Sequence, residues 1–274
     1  NALLKIADAL FENREKIVAA NRKDIERSEE EKLAPPLLKR LNFDEAKLND
    51  VIDGIKSLVE LEDPVGKTLL STELDEDLEL YRVSCPIGVI GVIFESRPDA
   101  LVQISTLCLK SGNGVLLKGG SEASETNKIL TEVISKASEE AGMPAGWIKL
   151  LETREDVNAL LKLNDYIDLL IPRGSNEFVR YLMENSTIPV MGHADGICHI
   201  YVDDEADLKV AVEIVVDSKT QYVSVCNALE TLLVNSSIAE NFLPLLKAEL
   251  DKKNVELIGC EKTAAIIPVK AATE

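Results

Sequence analysis

Residues 114–121, GVLLKGGS, pass from an apolar run straight into a glycine pair and a hydroxyl. A short apolar run that ends on glycine reads as a strand buried on both faces. Glycines at such a strand end let the backbone approach a ligand. A helix opening there would offer its first N–H groups and its dipole to an anion. Lys118, last in the run, brings a cation to the same crevice beside Gly119, Gly120 and Ser121. The pattern recurs on both sides. Apolar runs at 89–94, 147–151 and 167–171 are followed by helical spacing at 99–110, 155–163 and 176–183, and the run 114–118 is followed by a helix through Ala141. Apolar strands alternating with helices define an α/β fold with a parallel sheet covered on both faces. Right-handed crossovers then bring every strand's C-terminal end to one edge, where ligands bind.

A second strand-to-helix turn, Ile171–Pro172–Arg173–Gly174–Ser175, repeats the chemistry with a guanidinium and a hydroxyl. Two such turns in one sheet suit a dinucleotide, although the GxGxxG fingerprint of the common pyrophosphate loop is missing. The segment FESRPD, residues 94–99, places Glu95 and Arg97 at the end of the first of these strands. As a surface ion pair they would contribute little. The functional reading is recognition of a charged substrate.

The segment QYVSVCNALETLLV, residues 221–234, holds Cys226 among small and polar residues, with Asn227 beside it, just before an apolar run. A structural cysteine usually has apolar neighbours on both sides. This one reads as a thiol at the mouth of a strand, where a thiolate can reach a carbonyl carbon. A nucleophilic cysteine facing a nicotinamide is the constellation of acyl-transferring dehydrogenases. Cys85 and Cys108, by contrast, have the apolar sequence surroundings of small core residues.

The rest of the chain bounds these readings. Apolar residues make up 46% and charged residues 28% of 274, an ordinary globular composition. The longest apolar stretch is too short to span a bilayer, and the N-terminus reads as a charged amphipathic helix rather than a signal peptide. A cytoplasmic protein is expected. A net charge of −18 argues against nucleic acid as partner. Five cysteines without a CxxC pair predict no disulfide framework. His193, Cys198 and His199 lie close together, but the chain has only two histidines and no second cluster to complete a metal site.

Helices are expected over 1–30 and 44–62, with Pro35–Pro36 as a break between them. Residues 67–84 alternate apolar with polar around an acidic turn. That predicts a projecting β-hairpin that covers another subunit, hence a homo-oligomer. The domain plan is a dinucleotide-binding domain over 1–190, hairpin included, and a catalytic domain over 191–274. In the latter Asp203–Asp204 is expected to cap a helix over 206–218, and the sheet looks incomplete at its C-terminal side.

SCPIGVIGVIFESRPDALVQ, KSGNGVLLKGGSEA, IPRGSNEFV, PVMGHADGICHIYVD and CNALETLLV, in this order, together resemble the γ-glutamyl phosphate reductase (glutamate-5-semialdehyde dehydrogenase) family, also found as the reductase half of pyrroline-carboxylate synthases. The resemblance spans essentially the whole chain. It implies the aldehyde dehydrogenase fold, with Cys226 as nucleophile, Lys118 at the adenosine ribose or its phosphate, and Gly174–Ser175 near the pyrophosphate. Val223 stands where that family commonly has proline, and the family continues well beyond residue 274. Hydrolytic aldehyde dehydrogenases carry a water-activating glutamate where this chain has residues 192–196, GHADG. A thioester on Cys226 would therefore persist, which suits an acyl phosphate substrate. The implied reaction is NADPH-dependent reduction of L-glutamyl 5-phosphate. NADPH is expected over NADH because Ser121 occupies the place of an acidic ribose-binding residue, unless Glu122 takes that role. The alternatives are a CoA-acylating aldehyde dehydrogenase and a non-catalytic dinucleotide-binding or oligomerisation module.

Overall fold

The structure, a computed structural model, describes residues 1–174, 176–192, 196–223 and 225–273. The chain divides into two compact units, 1–193 and 194–274.

The first unit opens with helices α1 (Ala2–Glu12) and α2 (Arg14–Glu30), joined at Asn13, whose side-chain amide donates back to the Ala9 carbonyl at 2.8 Å. Ile6, Leu10 and Ile17 form the buried stripe. Pro35–Pro36 lies between the two expected helical stretches, which end at Glu30 and resume at Glu45, and it opens a further short helix, α3 (Pro35–Leu41). A proline at the first helical positions lacks only an N–H that would have no partner there, and its φ is already helical. Helix α4 (Glu45–Glu60) starts on Asp44, whose carboxylate accepts from the Lys47 N–H. That hydrogen bond, more than any other contact, holds the Asp44 pKa below the usual value. Its apolar residues Leu48, Val51, Ile52, Ile55 and Leu58 are buried at helical spacing.

Strands β1 (Thr68–Asp75) and β2 (Leu78–Val83) form the antiparallel hairpin read from the sequence, with Ser71 opposite Tyr81 and Asp77 at φ +61° in the turn. Every residue of both strands is exposed, so the ribbon has no core of its own.

The sheet of this unit comprises β3 (Val89–Ile93), β4 (Gly114–Lys118), β5 (Ile148–Leu150) and β6 (Leu169–Pro172), all parallel, in the order β5-β4-β3-β6. Helices α5 (Pro98–Lys110), α6 (Ser124–Glu140), α7 (Arg154–Leu160) and α8 (Asn176–Asn185) connect or follow the strands. One cluster, with Leu101, Leu117, Leu130 and Ile134 fully buried, covers one face together with α1 and α4. A second, around Leu160, Leu170 and Leu182, covers the other. Burial on both faces is why these strands are apolar throughout.

The strand ends converge on one edge, and α2 holds that edge in place. The Asp24 carboxylate, completely buried, accepts from the Thr126 N–H (2.8 Å), the Thr126 hydroxyl (2.7 Å) and the Glu125 N–H (3.2 Å), and from Arg27 Nη2 (2.6 Å). Residue 123, at the N-cap of α6, is an alanine with no capping side chain. Asp24 therefore performs the capping from a different helix. Asn21 completes the contact, donating to the Leu41 carbonyl (2.9 Å) and Thr126 Oγ1 (3.2 Å) while accepting from the Phe43 N–H (2.8 Å).

In the second unit β7 (Cys198–Val202) and β8 (Leu229–Val234) pair in parallel. Helices α9 (Leu208–Thr220) and α10 (Ala239–Asp251) bury Val215, Phe242, Leu246 and Leu250 with Val202 and Leu229. Asp207, rather than Asp203–Asp204, caps α9, accepting from the Lys209 and Val210 N–H groups. Asp203 instead accepts from the Asp204 N–H, the Tyr201 hydroxyl and the Asn235 amide. A short parallel pair, β9 (Ile258–Gly259) and β10 (Lys270–Ala271), flanks helix α11 (Glu261–Ala264).

Removing the buried cap should be costly. Asp24→Ala is expected to lower the unfolding free energy by about 2–4 kcal/mol, because it strips charge-assisted partners from two helix N–H groups, a hydroxyl and a guanidinium. Asp53→Ala, which breaks the exposed pair with Lys56, should leave stability unchanged within error. Urea denaturation of both variants checks the contrast.

Candidate functional site

In the first unit three segments meet where β4, β3 and β6 end. The Phe94 N–H donates to the Lys118 carbonyl at 2.9 Å and the Arg173 N–H to the Ile93 carbonyl at 2.7 Å. The structure thus brings Glu95, Lys118–Ser121 and Arg173–Gly174 to one edge. A Cβ built on Gly174 would lie 3.0 Å from Glu95 Oε1. Lys118 is half-buried, and its ammonium donates to the Gly119 carbonyl at 2.6 Å. Arg173, Glu95 and Arg97 are exposed, and Arg97 pairs with Asp99 at 3.1 Å. Ser175, also read as a cofactor residue, lies outside the described residues.

A cleft of about 230 Å³ opens beside this edge, lined by Gly119, Gly120 and Ser121 together with Arg27, Ser124, Glu125, Asn127, Lys128, Leu150, Leu151 and Glu152. Its walls carry two basic side chains, two carboxylates, two serines and an apolar pair. The volume is below that of a pocket enclosing a whole drug-sized ligand. The electrostatics differ from the sequence reading in one respect. The helix N–H groups expected to receive an anion are already engaged: those of Glu125 and Thr126 donate to Asp24. An anion here would be held by side chains instead. Gly120 also has a more local reason to be glycine, since a Cβ there would lie 2.0 Å from Glu122 Oε1. The Glu122 carboxylate turns to Ser96, accepting from its N–H (2.7 Å) and its hydroxyl (2.6 Å).

In the second unit Cys226 and Asn227 are exposed in the turn that leads into β8. The Cys226 carbonyl accepts from the Cys198 thiol, at 3.4 Å. Gly196 packs against the same turn: a Cβ there would fall 2.3 Å from the Cys226 oxygen and 3.0 Å from its Cβ. Glycine at 196 is thus a condition for this placement of the cysteine backbone. Residues 193–195 and 224 lie outside the described residues.

The other thiols separate clearly. Burial pushes the Cys108 thiol up to about 11. Cys85, expected in apolar surroundings, is exposed instead, two residues beyond the hairpin's second strand. Cys260 is exposed at the start of α11, and its pKa is lowered, first by a hydrogen bond with the Thr263 hydroxyl and then by backbone N–H groups. Among the described residues no three metal-ligating side chains converge, and no helix is long and apolar enough to cross a membrane.

The residues that sequence reasoning missed are Asp24 and Arg27. Arg27 Nη2 donates to the Ser121 and Glu122 carbonyls, each at 3.1 Å, and so ties the loop to α2. A signal was present. Ile17, Asn21, Asp24 and Ser28 occupy one buried stripe of α2, three of them polar. Polar residues at core-facing positions announce a specific partner.

The aldehyde dehydrogenase family matches residues 1–267, and the chain belongs to that family, whose members work with a nicotinamide dinucleotide. Its resemblance to γ-glutamyl phosphate reductases is likewise borne out. The chain is 72% identical over 273 residues to a protein of that name from Acetivibrio thermocellus and 70% identical over 274 residues to one from Ruminiclostridium cellulolyticum. Both matches cover 100% of this chain, which spans 63% of the length of either relative. The crystal structure of γ-glutamyl phosphate reductase from Thermotoga maritima superposes with a TM-score of 0.93 at 41% identity, covering 100% of this chain and 67% of that one.

Thiol labelling tests the placement of the cysteines. Iodoacetamide at pH 7.5 should modify Cys226 and Cys260 in the folded protein within minutes to hours. Cys108, buried and protonated below about pH 11, should react only after denaturation. Peptide mass mapping reads the outcome.

Proposed function

We propose that the protein reduces L-glutamyl 5-phosphate to L-glutamate 5-semialdehyde with NADPH, by way of a thioester on Cys226. The observation that carries the reading is the exposed Cys226 thiol, in a turn backed by Gly196 at the mouth of β8. The names of the relatives at 70% identity and above support the substrate.

In this reading the Cys226 thiolate attacks the acyl carbon. A C–S bond forms, the C–O bond to the phosphoryl group breaks, and phosphate leaves with the electron pair. The neighbouring Asn227 donates to the carbonyl oxygen as charge develops on it. The reduced dinucleotide, when bound, supplies the hydride. Breaking the C–S bond then releases the aldehyde and restores the Cys226 thiolate. Lys118, Ser121 and Arg173 hold the cofactor, with Gly119, Gly120 and Gly174–Ser175 giving its phosphates room, and Glu95 and Arg97 face the charged ends of the substrate. The unit 1–193 is then the dinucleotide-binding domain and 194–274 part of the catalytic one. The hairpin β1–β2, exposed on both faces, is the arm by which subunits associate.

Preference for NADPH rests on Ser121, with Arg27 and Lys128 in the same cleft. Glu122 does not compete for the ribose, because its carboxylate is engaged by Ser96. A serine hydroxyl donates to a 2′-phosphate that a carboxylate would repel.

In the full-length protein, Cys226→Ser is expected to reduce kcat below a few per cent of the parent while NADPH binding stays within a few-fold. A serine variant that kept more than this would sink the covalent route. NADP⁺ reduction in the reverse direction, with glutamate semialdehyde, should require phosphate and not coenzyme A. Parent kcat/KM should be at least tenfold higher with NADPH than with NADH, and Ser121→Glu should abolish the difference. A hydrogen bond to a charged group contributes roughly 1.5–3 kcal/mol, so equal values for the two cofactors would show that Ser121 does not read the 2′-phosphate.

A further inference from the structure

Ser96 is the buried polar residue of the FESRPD segment, between the buried Phe94 and Pro98. It is only 4% exposed, yet its φ is +36°, a region that residues with a side chain seldom occupy. Its two neighbours, Glu95 and Arg97, are exposed. A buried residue in a sparsely populated conformation persists only where its surroundings hold it there. The Glu122 carboxylate does so: a single oxygen accepts both the Ser96 N–H, at 2.7 Å, and the Ser96 hydroxyl, at 2.6 Å. Space for that carboxylate exists because residue 120 is glycine, as a Cβ there would lie 2.0 Å from the same oxygen. The backbone at Glu122 is itself fixed, its carbonyl accepting from Arg27 at 3.1 Å. Ion-pairing does not explain the arrangement, since the partner of Glu122 is neutral.

We infer that Glu122 is a positioning residue. It ties the nucleotide-side loop at 118–122 to the segment 94–97, and it fixes the direction in which Glu95 and Arg97 leave the sheet edge. The inference rests on the reading of 94–97 as the substrate-facing segment. It goes beyond that reading by giving substrate recognition a determinant that lies in the cofactor loop and touches neither ligand. Glu95 and Arg97 flank Ser96 directly, so a change in the Ser96 backbone re-aims both at once. The nucleotide side is spared because Ser121 and Glu122 keep their carbonyl contacts with Arg27 whatever the Glu122 side chain becomes.

The test compares Glu122→Ala with Glu122→Gln in the full-length protein, read in the semialdehyde-oxidising direction. Glu122→Ala should raise KM for the semialdehyde at least tenfold while the Kd for NADPH, measured by fluorescence titration, stays within twofold. Glu122→Gln keeps an oxygen able to accept from both Ser96 groups and should remain within threefold of the parent in KM. A KM within twofold for the alanine variant would overturn the inference, as would a Kd for NADPH that rises in step with KM. Should Glu122→Ala fail to fold, Ser96→Ala carries the test. It removes one of the two bonds and is expected to raise KM at least threefold, whereas an unchanged KM counts against the role. A parent with no reductase activity would remove the proposed function itself. The Ser96 amide proton then decides the tie: slow exchange lost in Glu122→Ala supports it, and unchanged exchange overturns it.

Discussion

The buried carboxylate of Asp24 is the contact on which the functional edge of the first unit depends. A parallel α/β sheet presents its strand ends as loops, and loops have little packing to hold them. Here the loop after β4 enters a helix whose own N-cap residue, Ala123, has no polar side chain. Asp24 supplies the missing acceptor from α2, and Arg27 fastens the preceding carbonyls. The negative charge that a helix N-terminus attracts is thus built in rather than left for a ligand. The consequence is a division of labour. The Glu125 and Thr126 N–H groups and the Ser121 and Glu122 carbonyls are spent on holding the loop's shape, and the side chains of Lys118, Ser121 and Lys128 are the groups we propose for recognition.

The second unit solves a similar problem with smaller parts. Cys226 sits in a turn with no regular structure of its own, so its position depends on what touches the turn. Gly196 comes so close to the Cys226 carbonyl that any side chain there would displace it, and the Cys198 thiol donates to the same oxygen. Both contacts fix the main chain and leave the Cys226 thiol exposed. The nucleophile role we propose for Cys226 needs this arrangement, a backbone held in place and a side chain free to react.

The sheet was legible in the sequence because burial on both faces makes each strand a continuous apolar run. The hairpin was legible because its alternation survives exposure. The placement of Lys118, Gly119, Gly120, Arg173 and Gly174 was legible as well: all lie at strand ends, where strand-to-helix punctuation puts them. What escaped was contact between distant segments. Nothing near residue 118 announces Asp24, and only the polar interruption of the α2 stripe betrays it. Capping positions were misplaced for a related reason. Asp203, Asp204 and Asp207 are equivalent as local signals, and the choice of Asp207 follows from where β7 ends and α9 packs. Pro35–Pro36 carries the same ambiguity, since proline ends one helix and begins another with equal ease. Cys85 looked apolar by its neighbours along the chain, yet it lies just past a ribbon with solvent on both sides.

The Asp24–Thr126 bond joins residues 102 apart in sequence. Order at the cleft is therefore a late event in the life of the polypeptide. Helix α2 leaves the ribosome early and has no acceptor duty to perform until β3, α5 and β4 have been made and α6 has begun. Loop-closure entropy grows only slowly with the length enclosed, so the final stability suffers little. The rate is another matter, because contacts of long sequence separation set the pace of folding. Between synthesis of β3 and closure of this bond, the loop after β4 exists without a frame.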